Sequence, residues 1–172
     1  MRFRATCYRA HNPKWSFKPM SGAGAAVHGG RFNPKGMEAL YLGLTIMTAI
    51  REANQGFAFK LKPYVVCSYD VDCEDIADLR DDAGRAANGV AFADMASAWF
   101  ADAAEGREPP SWRVARRLMA AGHAGVLVPN FAPGATEDDA NLVLWDWGDR
   151  PPHKVEVFDP SGRLPKDQLS WD

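Results

Sequence analysis

The amino-acid sequence predicts a single α+β domain with a split, mostly antiparallel sheet and flanking helices. The 172 residues are 47% hydrophobic and 24% charged, which is typical of a globular domain. A chain of this length buries enough surface to form a core without disulfide or metal staples. The predicted elements follow the order β-β-α-β-α-α-β-β-β, which lacks the regular alternation of a doubly wound parallel sheet. We therefore expect one domain over residues 1–172.

Alternating apolar residues and β-branched or aromatic runs predict three strands in the first half of the chain. They cover Arg2–Tyr8, Glu38–Leu44 and Tyr64–Val71. In the second of these strands the leucines share one face, so Tyr41 lies on the opposite face. The connection before that strand is long and rich in turn residues, which is typical of functional loops. Within it, Ser21–Ala26 is expected to be a short flexible loop.

A helix is predicted over Thr45–Gln55, with Thr45 as N-cap and Gly56 as its end. Apolar residues recur there at helical spacing. They are Ile46, Ala49, Ile50, Ala53 and Phe57. At 3.6 residues per turn, Glu52 lies about 120° from the centre of this apolar stripe. We therefore expect Glu52 to border the core without joining it.

The second half of the chain combines two predicted helices with three short strands. Val90–Ala104 is expected to form a helix that ends at Gly106. Ser111–Ala121 is expected to form another, because prolines precede it and Gly122 follows it. Short apolar runs bounded by Pro or Gly predict the strands. They cover Gly125–Val128, Asn141–Trp147 and Lys154–Phe158.

Charge and hydropathy exclude several classes of partner. Lys plus Arg number 20 against 22 Asp plus Glu, so no basic face for direct nucleic-acid binding is expected. No apolar stretch approaches the roughly 20 residues of a membrane span, and no secretory leader is indicated. The three cysteines form no C-x-x-C pair, which fits a reducing compartment. We expect a cytoplasmic protein.

Metal sites and common nucleophile motifs are not indicated. The four histidines are scattered, and no pair has the i, i+4 spacing of a helical zinc site. Cys67 lies in a predicted strand among apolar residues, where a buried, unreactive thiol is expected. The sequence contains no P-loop, no G-x-S-x-G and no G-x-G-x-x-G motif.

One constellation remains, formed by the run Gly29-Gly30-Arg31-Phe32-Asn33 with Tyr41, Glu52 and Asn141. Glycines let a backbone approach a ligand closely, and a guanidinium can bond two phosphate oxygens at once. Each member also has a simpler interpretation. Gly-Gly-Arg is commonly a turn with a solvated charge, a lone strand tyrosine commonly packs, and a glutamate on a helix flank is commonly a surface carboxylate.

Taken together, these residues resemble a known family, the RES-domain toxins of bacterial type II toxin–antitoxin modules. The resemblance extends over essentially the whole chain. Its segments are Tyr8-Arg9-Ala10, Gly29–Gly36, Leu40-Tyr41-Leu42, Thr48–Glu52, Gly122–Pro129 and Asn141–Trp145. It implies a fold similar to the catalytic domain of diphtheria-type ADP-ribosyltransferases, with NAD as the substrate and no metal.

The resemblance also implies site residues. Arg31, Tyr41 and Glu52 would be catalytic, and the NAD-binding residues would be Arg31, Tyr41, Asn141, Gly30 and Asn33. Glu52 would stabilise the positive charge that develops on the ribose. Arg31 would hold the pyrophosphate or the nicotinamide ribose, and Tyr41 would form a flat wall against the nicotinamide. Asn141 stands where the family has a serine, so hydrogen bonding persists but a nucleophilic hydroxyl is lost.

Several alternatives stay open at this stage. The acceptor of ADP-ribose is a protein side chain, water or phosphate, with protein transfer favoured for a chain with few covering insertions. A non-catalytic module that binds a nucleotide or a partner is an alternative of another class. The resemblance further implies a cognate antitoxin that occludes the site, with any DNA contact left to the antitoxin. The tryptophans 112, 145, 147 and 171 are candidates for that interface, or else core and rim residues.

Overall fold

A central sheet organises the molecule in the computed structural model, which describes residues 1–54, 61–136 and 138–169. Its strands are β1 (Phe3–His11), β2 (Leu40–Gly43), β3 (Val65–Cys73), β4 (Ile76–Asp78), β5 (Gly125–Pro129), β6 (Ala140–Leu144) and β7 (His153–Val157). They lie side by side in the order β4-β5-β6-β2-β1-β3-β7. Among these strands of the described residues, β4 and β5 pair in parallel and the other pairs are antiparallel. The predicted α+β class with a mostly antiparallel sheet is confirmed.

The helices of the described residues are short. They are α1 (Ala23–His28), α2 (Ile46–Asn54), α3 (Asp82–Ala87), α4 (Phe92–Met95), α5 (Trp99–Ala104) and α6 (Pro110–Ala120). A 3₁₀ turn covers Pro13–Trp15. Within the described ranges, no helix is long and apolar enough to cross a membrane.

The sheet opens between its two central strands. β1 is paired with β3 along its whole length, from Phe3 to His11. Its pairing with β2 is confined to one position, where Tyr8 lies opposite Gly43. The sheet is therefore continuous, but its two halves diverge on either side of this pair. The sheet is therefore split between β1 and β2, as the sequence predicts.

The two faces of the sheet carry separate apolar cores. The first core contains Leu40 and Leu42 of β2 together with buried residues of β1, β3, β5, β6 and β7. The second lies under α4 and α6, and Tyr41 packs against its margin. Alternation along β2 therefore places Tyr41 away from the leucine face, as the sequence predicts.

Helix α2 begins where the sequence places its start, and it buries part of the predicted stripe. The Thr45 hydroxyl accepts a hydrogen bond from the Thr48 backbone N–H at 3.0 Å, which confirms Thr45 as N-cap. Ile46, predicted in the buried stripe, is 49% exposed, whereas Thr48 is fully buried. Ala49 of the stripe is also buried, so the helix is anchored through this apolar residue together with the polar contacts of Thr48. The predicted end at Gly56 and the stripe position Phe57 lie outside the described residues.

Three further predictions about elements are wrong. Ser21–Ala26 is not a flexible loop, because α1 begins at Ala23 and the alanines of this segment favour a helix. The helix expected over Val90–Ala104 is divided into α4 and α5. The strand expected over Asn141–Trp147 ends at Leu144. Strand β4 and helix α3 were not anticipated, although Asp81 caps α3 by accepting a hydrogen bond from the Gly84 N–H at 2.7 Å.

All three cysteines are buried and free. Burial raises the pKa of Cys7 and of Cys73 to about 12 and also raises that of Cys67. Thiolates are the reactive form of cysteine, so the structure agrees with the expectation of unreactive thiols.

A buried carboxylate joins α2 to the loop before β6. Asp139 Oδ1 accepts a hydrogen bond from the Thr48 hydroxyl at 2.8 Å, and Oδ2 accepts from the Thr136 N–H at 2.8 Å and from Arg51 Nη1. These partners, with the Thr136 amide first, hold the pKa of Asp139 below its ordinary value. Asp139 is therefore the main polar anchor of α2.

We expect Asp139→Asn to lower the free energy of unfolding by about 2 kcal/mol at pH 7, because charge-assisted hydrogen bonds are lost. A lowered carboxyl pKa contributes stability above the unfolded value of about 4 and loses it as the pH falls through the folded value. The difference from the unaltered protein should therefore shrink in acid, as measured by urea unfolding from pH 3 to pH 7. The exposed neighbour gives the control, since Asp138→Asn should have little effect.

Candidate active site

A cavity of about 680 Å³ lies at the opening between β1 and β2. Its wall comes from β1, β2, β6, α1, α2 and α5, from the turn at residues 29–32 and from the loop after β5. Of the predicted site residues, Gly30, Arg31, Tyr41, Glu52 and Asn141 line it. Residues distant in sequence are thus brought to one concave site, which is the form that ligand sites take.

Arg31 lies at the tip of a tight turn. Gly30 and Asn33 close this turn, with the Gly30 N–H donating to the Asn33 carbonyl at 2.9 Å. Preceding it, Gly29 ends α1 with a φ of 74°, a conformation that favours glycine. At residue 30 a Cβ would lie 2.6 Å from both Tyr41 Oη and Asn33 Oδ1. The double glycine is therefore required by the geometry of the turn.

The guanidinium of Arg31 is held by backbone carbonyls, and no carboxylate of the described residues bonds to it. Arg31 Nη1 donates to the Met95 carbonyl at 2.9 Å and to the Ser97 carbonyl at 2.7 Å. Its Cζ lies 4.5 Å from the centre of the Phe131 ring, a cation–π contact. Burial lowers the pKa of Arg31, and the Glu52 carboxylate opposes that effect. A partly desolvated cation of this kind is suited to an anionic ligand.

These contacts also explain the break between α4 and α5. The Met95 and Ser97 carbonyls bond to Arg31, and α5 starts only at Trp99. The segment that the sequence joins into one helix is bent toward the cavity.

Tyr41 contributes its ring to the cavity and its hydroxyl to the turn. The hydroxyl donates to Asn33 Oδ1 at 2.7 Å and accepts from the Phe32 N–H at 3.0 Å. Burial is the main cause that raises the pKa of this phenol, so the group is neutral. Tyr41 therefore fixes the turn that carries Arg31 and also lines the cavity.

Asn33 lies behind the cavity wall and not on it. It is fully buried, and its Nδ2 donates to the carbonyls of Ala25 and Met37, each at 2.9 Å, while Oδ1 accepts from Tyr41. The structure places it as a brace of the turn. The expectation that it contacts NAD directly has no support in this geometry.

Glu52 and Asn141 meet across the cavity floor. Asn141 Nδ2 donates to Glu52 Oε2 at 3.2 Å. Burial raises the pKa of Glu52, whereas the Asn141 hydrogen bond and the Arg31 charge lower it. Asn141 Oδ1 is buried and has no hydrogen-bond partner among the described residues. A buried acceptor without a partner is costly, and a ligand hydroxyl or amide would satisfy it.

Arg9 is a cavity residue that sequence reasoning did not select. It lines the cavity, and its Nη1 donates to the Ser21 carbonyl at 2.9 Å and to the Pro19 carbonyl at 3.3 Å. Burial lowers the pKa of Arg9. Strand alternation could have pointed to Arg9, because it places Arg9 on the same strand face as Cys7 and His11. Both of these neighbours are buried. A cation on the apolar face of a strand requires an explanation.

The tryptophans have a role that was not anticipated. Trp112, Trp145 and Trp147 are each half-buried. Their indole N–H groups donate to the carbonyls of Gly30, Phe32 and Met20 at 2.8, 2.9 and 3.1 Å. Trp171 lies outside the described residues. These three tryptophans therefore bind backbone segments of this chain, and an antitoxin interface at any of them stays a prediction.

No group of three or more potential metal ligands occurs in the parts of the chain that the structure describes. The side chains that line the cavity supply two guanidiniums, one carboxylate, an amide, an imidazole and several aromatic rings.

Together these features define a class: an α+β domain whose sheet opens onto a cationic cavity with one half-buried carboxylate. A model of the RES-domain family matches residues 6–167. The chain belongs to that family, and the resemblance stated from its sequence is confirmed.

The fold is shared with a solved structure. A chain of the crystal structure of the M. tuberculosis MbcT–MbcA toxin–antitoxin complex matches with a TM-score of 0.62 and 22% sequence identity. The match covers 92% of this chain and 84% of that chain. No curated protein matches the sequence.

The glycine of the turn offers a direct test of the site geometry. Gly30→Ala should destabilise the protein by about 1–3 kcal/mol, because the added Cβ overpacks against Tyr41 and Asn33. Thermal and urea unfolding measure the change.

Gly24 is the matched control. It also lines the cavity, it lies in α1, and a Cβ at this position would meet nothing within 4 Å. Gly24→Ala should be neutral or stabilising by up to about 1 kcal/mol, because alanine favours helix. Equal losses for the two substitutions would contradict the tight turn.

Proposed function

We propose that the protein is the toxin of a type II toxin–antitoxin module, and that it cleaves the nicotinamide–ribose bond of NAD and transfers ADP-ribose to a protein. The observation that carries this proposal is that Arg31 and Glu52, from a turn and a helix 21 positions apart in sequence, line one cavity and interact electrostatically. Membership of the RES-domain family supports it.

Charge complementarity supports NAD as the ligand. The ionised lining residues are two arginines, Arg9 and Arg31, against the single carboxylate of Glu52. A pyrophosphate carries two negative charges and presents oxygens at the spacing that a guanidinium bonds. Its binding would compensate the two buried cations. The volume of about 680 Å³ lies within the range of sites for ligands of this size.

Bond cleavage requires stabilisation of positive charge on the ribose. When the bond from ribose C1 to the ring nitrogen breaks, its electron pair moves to the nitrogen and neutralises the pyridinium. The ribose is left as an oxocarbenium-like centre, which the ionised Glu52 carboxylate stabilises. Asn141 keeps Glu52 oriented through its N–H group, and its free Oδ1 accepts a hydrogen bond from the substrate.

The acceptor completes the reaction. Its lone pair bonds to the ribose carbon, and its proton is lost to solvent or to a base. Phe100 at the cavity rim is 71% exposed, so the mouth offers access to a side chain of another protein. Water and inorganic phosphate are the alternative acceptors, which would give an NAD glycohydrolase or phosphorylase.

A cognate antitoxin belongs to this proposal. An enzyme that consumes NAD harms its own cell, so a partner that binds the folded toxin and occludes the cavity is required. The match to a chain from a toxin–antitoxin complex supports such a partner. The same cavity would then be the site of both substrate binding and inhibition.

Arg31→Ala and Glu52→Gln should each lower kcat/KM for NAD by about 10²- to 10³-fold, because each removes charge stabilisation from the transition state. Nicotinamide release from the purified protein measures the loss. Growth arrest by the expressed protein should be relieved in parallel.

Two substitutions outside the cavity provide the controls. Glu38 and Arg113 are exposed and do not line the cavity, so Glu38→Gln and Arg113→Ala should retain full activity. If growth arrest survived both active-site substitutions, the protein would act as a non-catalytic binding module. Mass spectrometry of NAD incubated with and without phosphate and lysate identifies the acceptor.

The activity should fall in acid with a midpoint above the ordinary glutamate pKa of about 4.3. The reason is that Glu52 acts as a carboxylate and burial raises its pKa. Asn141→Ala removes the hydrogen bond that lowers this pKa, so the acid limb of kcat/KM should move to higher pH. A rate profile from pH 4 to pH 8 checks both statements, and an unshifted limb in the variant would count against this role of Asn141.

A further inference from the structure

The turn that carries Arg31 is held by two indole groups on either side of that residue. Trp112 Nε1 donates to the Gly30 carbonyl at 2.8 Å, and Trp145 Nε1 donates to the Phe32 carbonyl at 2.9 Å. Trp112 lies in α6 and Trp145 directly follows β6. Two independent elements therefore bond to the peptide groups that flank Arg31.

The local sequence alone does not stabilise this turn strongly. Residues 29 and 30 are glycines, which lose more backbone entropy on ordering than other residues. The second backbone bond of the turn, from the Asn33 N–H to the Gly30 carbonyl, is long at 3.4 Å. The shorter bond to that same carbonyl comes from Trp112. The indole N–H groups of Trp112 and Trp145 thus stabilise a turn in which one of the two backbone hydrogen bonds is long.

The side chain of Arg31 is fixed at its other end as well. Its guanidinium bonds to the Met95 and Ser97 carbonyls and stacks on Phe131. With backbone and guanidinium both restrained, little conformational entropy remains to be lost when an anion binds. A loosened turn would reintroduce that cost and move the guanidinium relative to Glu52.

We propose that Trp112 and Trp145 are positioning residues, which set the place of Arg31 by holding the Gly30 and Phe32 carbonyls. This inference rests on the proposed function in one respect, namely that Arg31 binds the substrate. It assigns to the indole N–H groups, and not to the bulk of the rings, a specific effect on substrate affinity.

Trp112→Phe and Trp145→Phe test the proposal, because phenylalanine keeps an aromatic ring and lacks the donor. NAD affinity is measured by titration in a Glu52→Gln background, which suppresses turnover. Each substitution should weaken binding about tenfold, equivalent to ~1.4 kcal/mol. In the protein with Glu52 intact, the change should fall mainly on KM, with kcat altered less than threefold.

Trp147→Phe is the matched control. Its indole also donates to a backbone carbonyl, that of Met20, at 3.1 Å, but outside the turn. It should cost a similar shift in melting temperature and leave the exchange of the Phe32 amide, which lies in the Arg31 turn, unchanged. If all three substitutions accelerated that exchange equally, the effect would be general destabilisation and the proposal would be wrong. Replacement of the indole by benzothiophene, which keeps the bicyclic shape without the donor, decides the matter if a phenylalanine variant does not fold.

An Arg31→Ala background separates positioning from packing. If the tryptophans act through Arg31, their substitution should change NAD affinity less than twofold once Arg31 is absent. A persisting tenfold loss would show that they act on the ligand by another route and would overturn the proposal.

Hydrogen exchange of the Phe32 amide gives a readout that does not depend on NAD. This amide donates to the Tyr41 hydroxyl inside the turn, and its exchange should accelerate at least tenfold in the Trp112 and Trp145 variants but not in Trp147→Phe. If the unaltered protein failed to bind NAD, the proposed function would be wrong. The exchange comparison would then decide alone whether the indoles hold the turn.

Discussion

The single backbone pair between β1 and β2 is the constraint on which the rest of the site depends. Tyr8 and Gly43 hold the sheet together at one position, and the strands diverge from there to create the cavity. Gly43 also admits α2, because a Cβ at this residue would lie 2.6 Å from the Ala49 backbone nitrogen. The close approach of helix and strand brings Glu52 to the edge of the opening, and Asp139 locks the helix in that position.

The electrostatics of the cavity follow from which partners its charges have. Arg9 and Arg31 are desolvated, yet their hydrogen-bond acceptors among the described residues are backbone carbonyls. Carbonyl dipoles offset the loss of water but leave the net charge uncancelled. The opposing carboxylate, Glu52, bonds to a neutral amide instead of either arginine. The site therefore keeps both signs of charge available at the opening of the sheet.

The sequence predicts those elements that are stabilised by contacts between residues close together in the chain. The Thr45 cap and the alternation along β2 depend on residues within a few positions, and the sequence predicts both. Strand β4 has only three residues and exists through its parallel pairing with β5, whose strand begins at Gly125. The break between α4 and α5 depends on Arg31, more than 60 positions away. Neither is visible in a local pattern.

The same distinction applies to the site. The resemblance to the RES-domain family, and not residue type alone, selects Gly30, Arg31, Tyr41 and Glu52, which line one cavity. The contribution of the tryptophans depends on carbonyls 82 and 113 positions distant. Composition offers no means of choosing between a tryptophan that packs and one that donates, since both are half-buried aromatic residues. Asn33 shows the converse, as a motif residue whose whole side chain serves the turn.

The buried thiols have a consequence for the chemistry of the whole chain. Burial raises the pKa of Cys7 and Cys73 to about 12, so both thiols are protonated at neutral pH. Peroxides, alkylating reagents and mixed disulfides all act through the thiolate form. The buried thiols are therefore shielded from these reagents, and no described residue that lines the cavity contains sulfur.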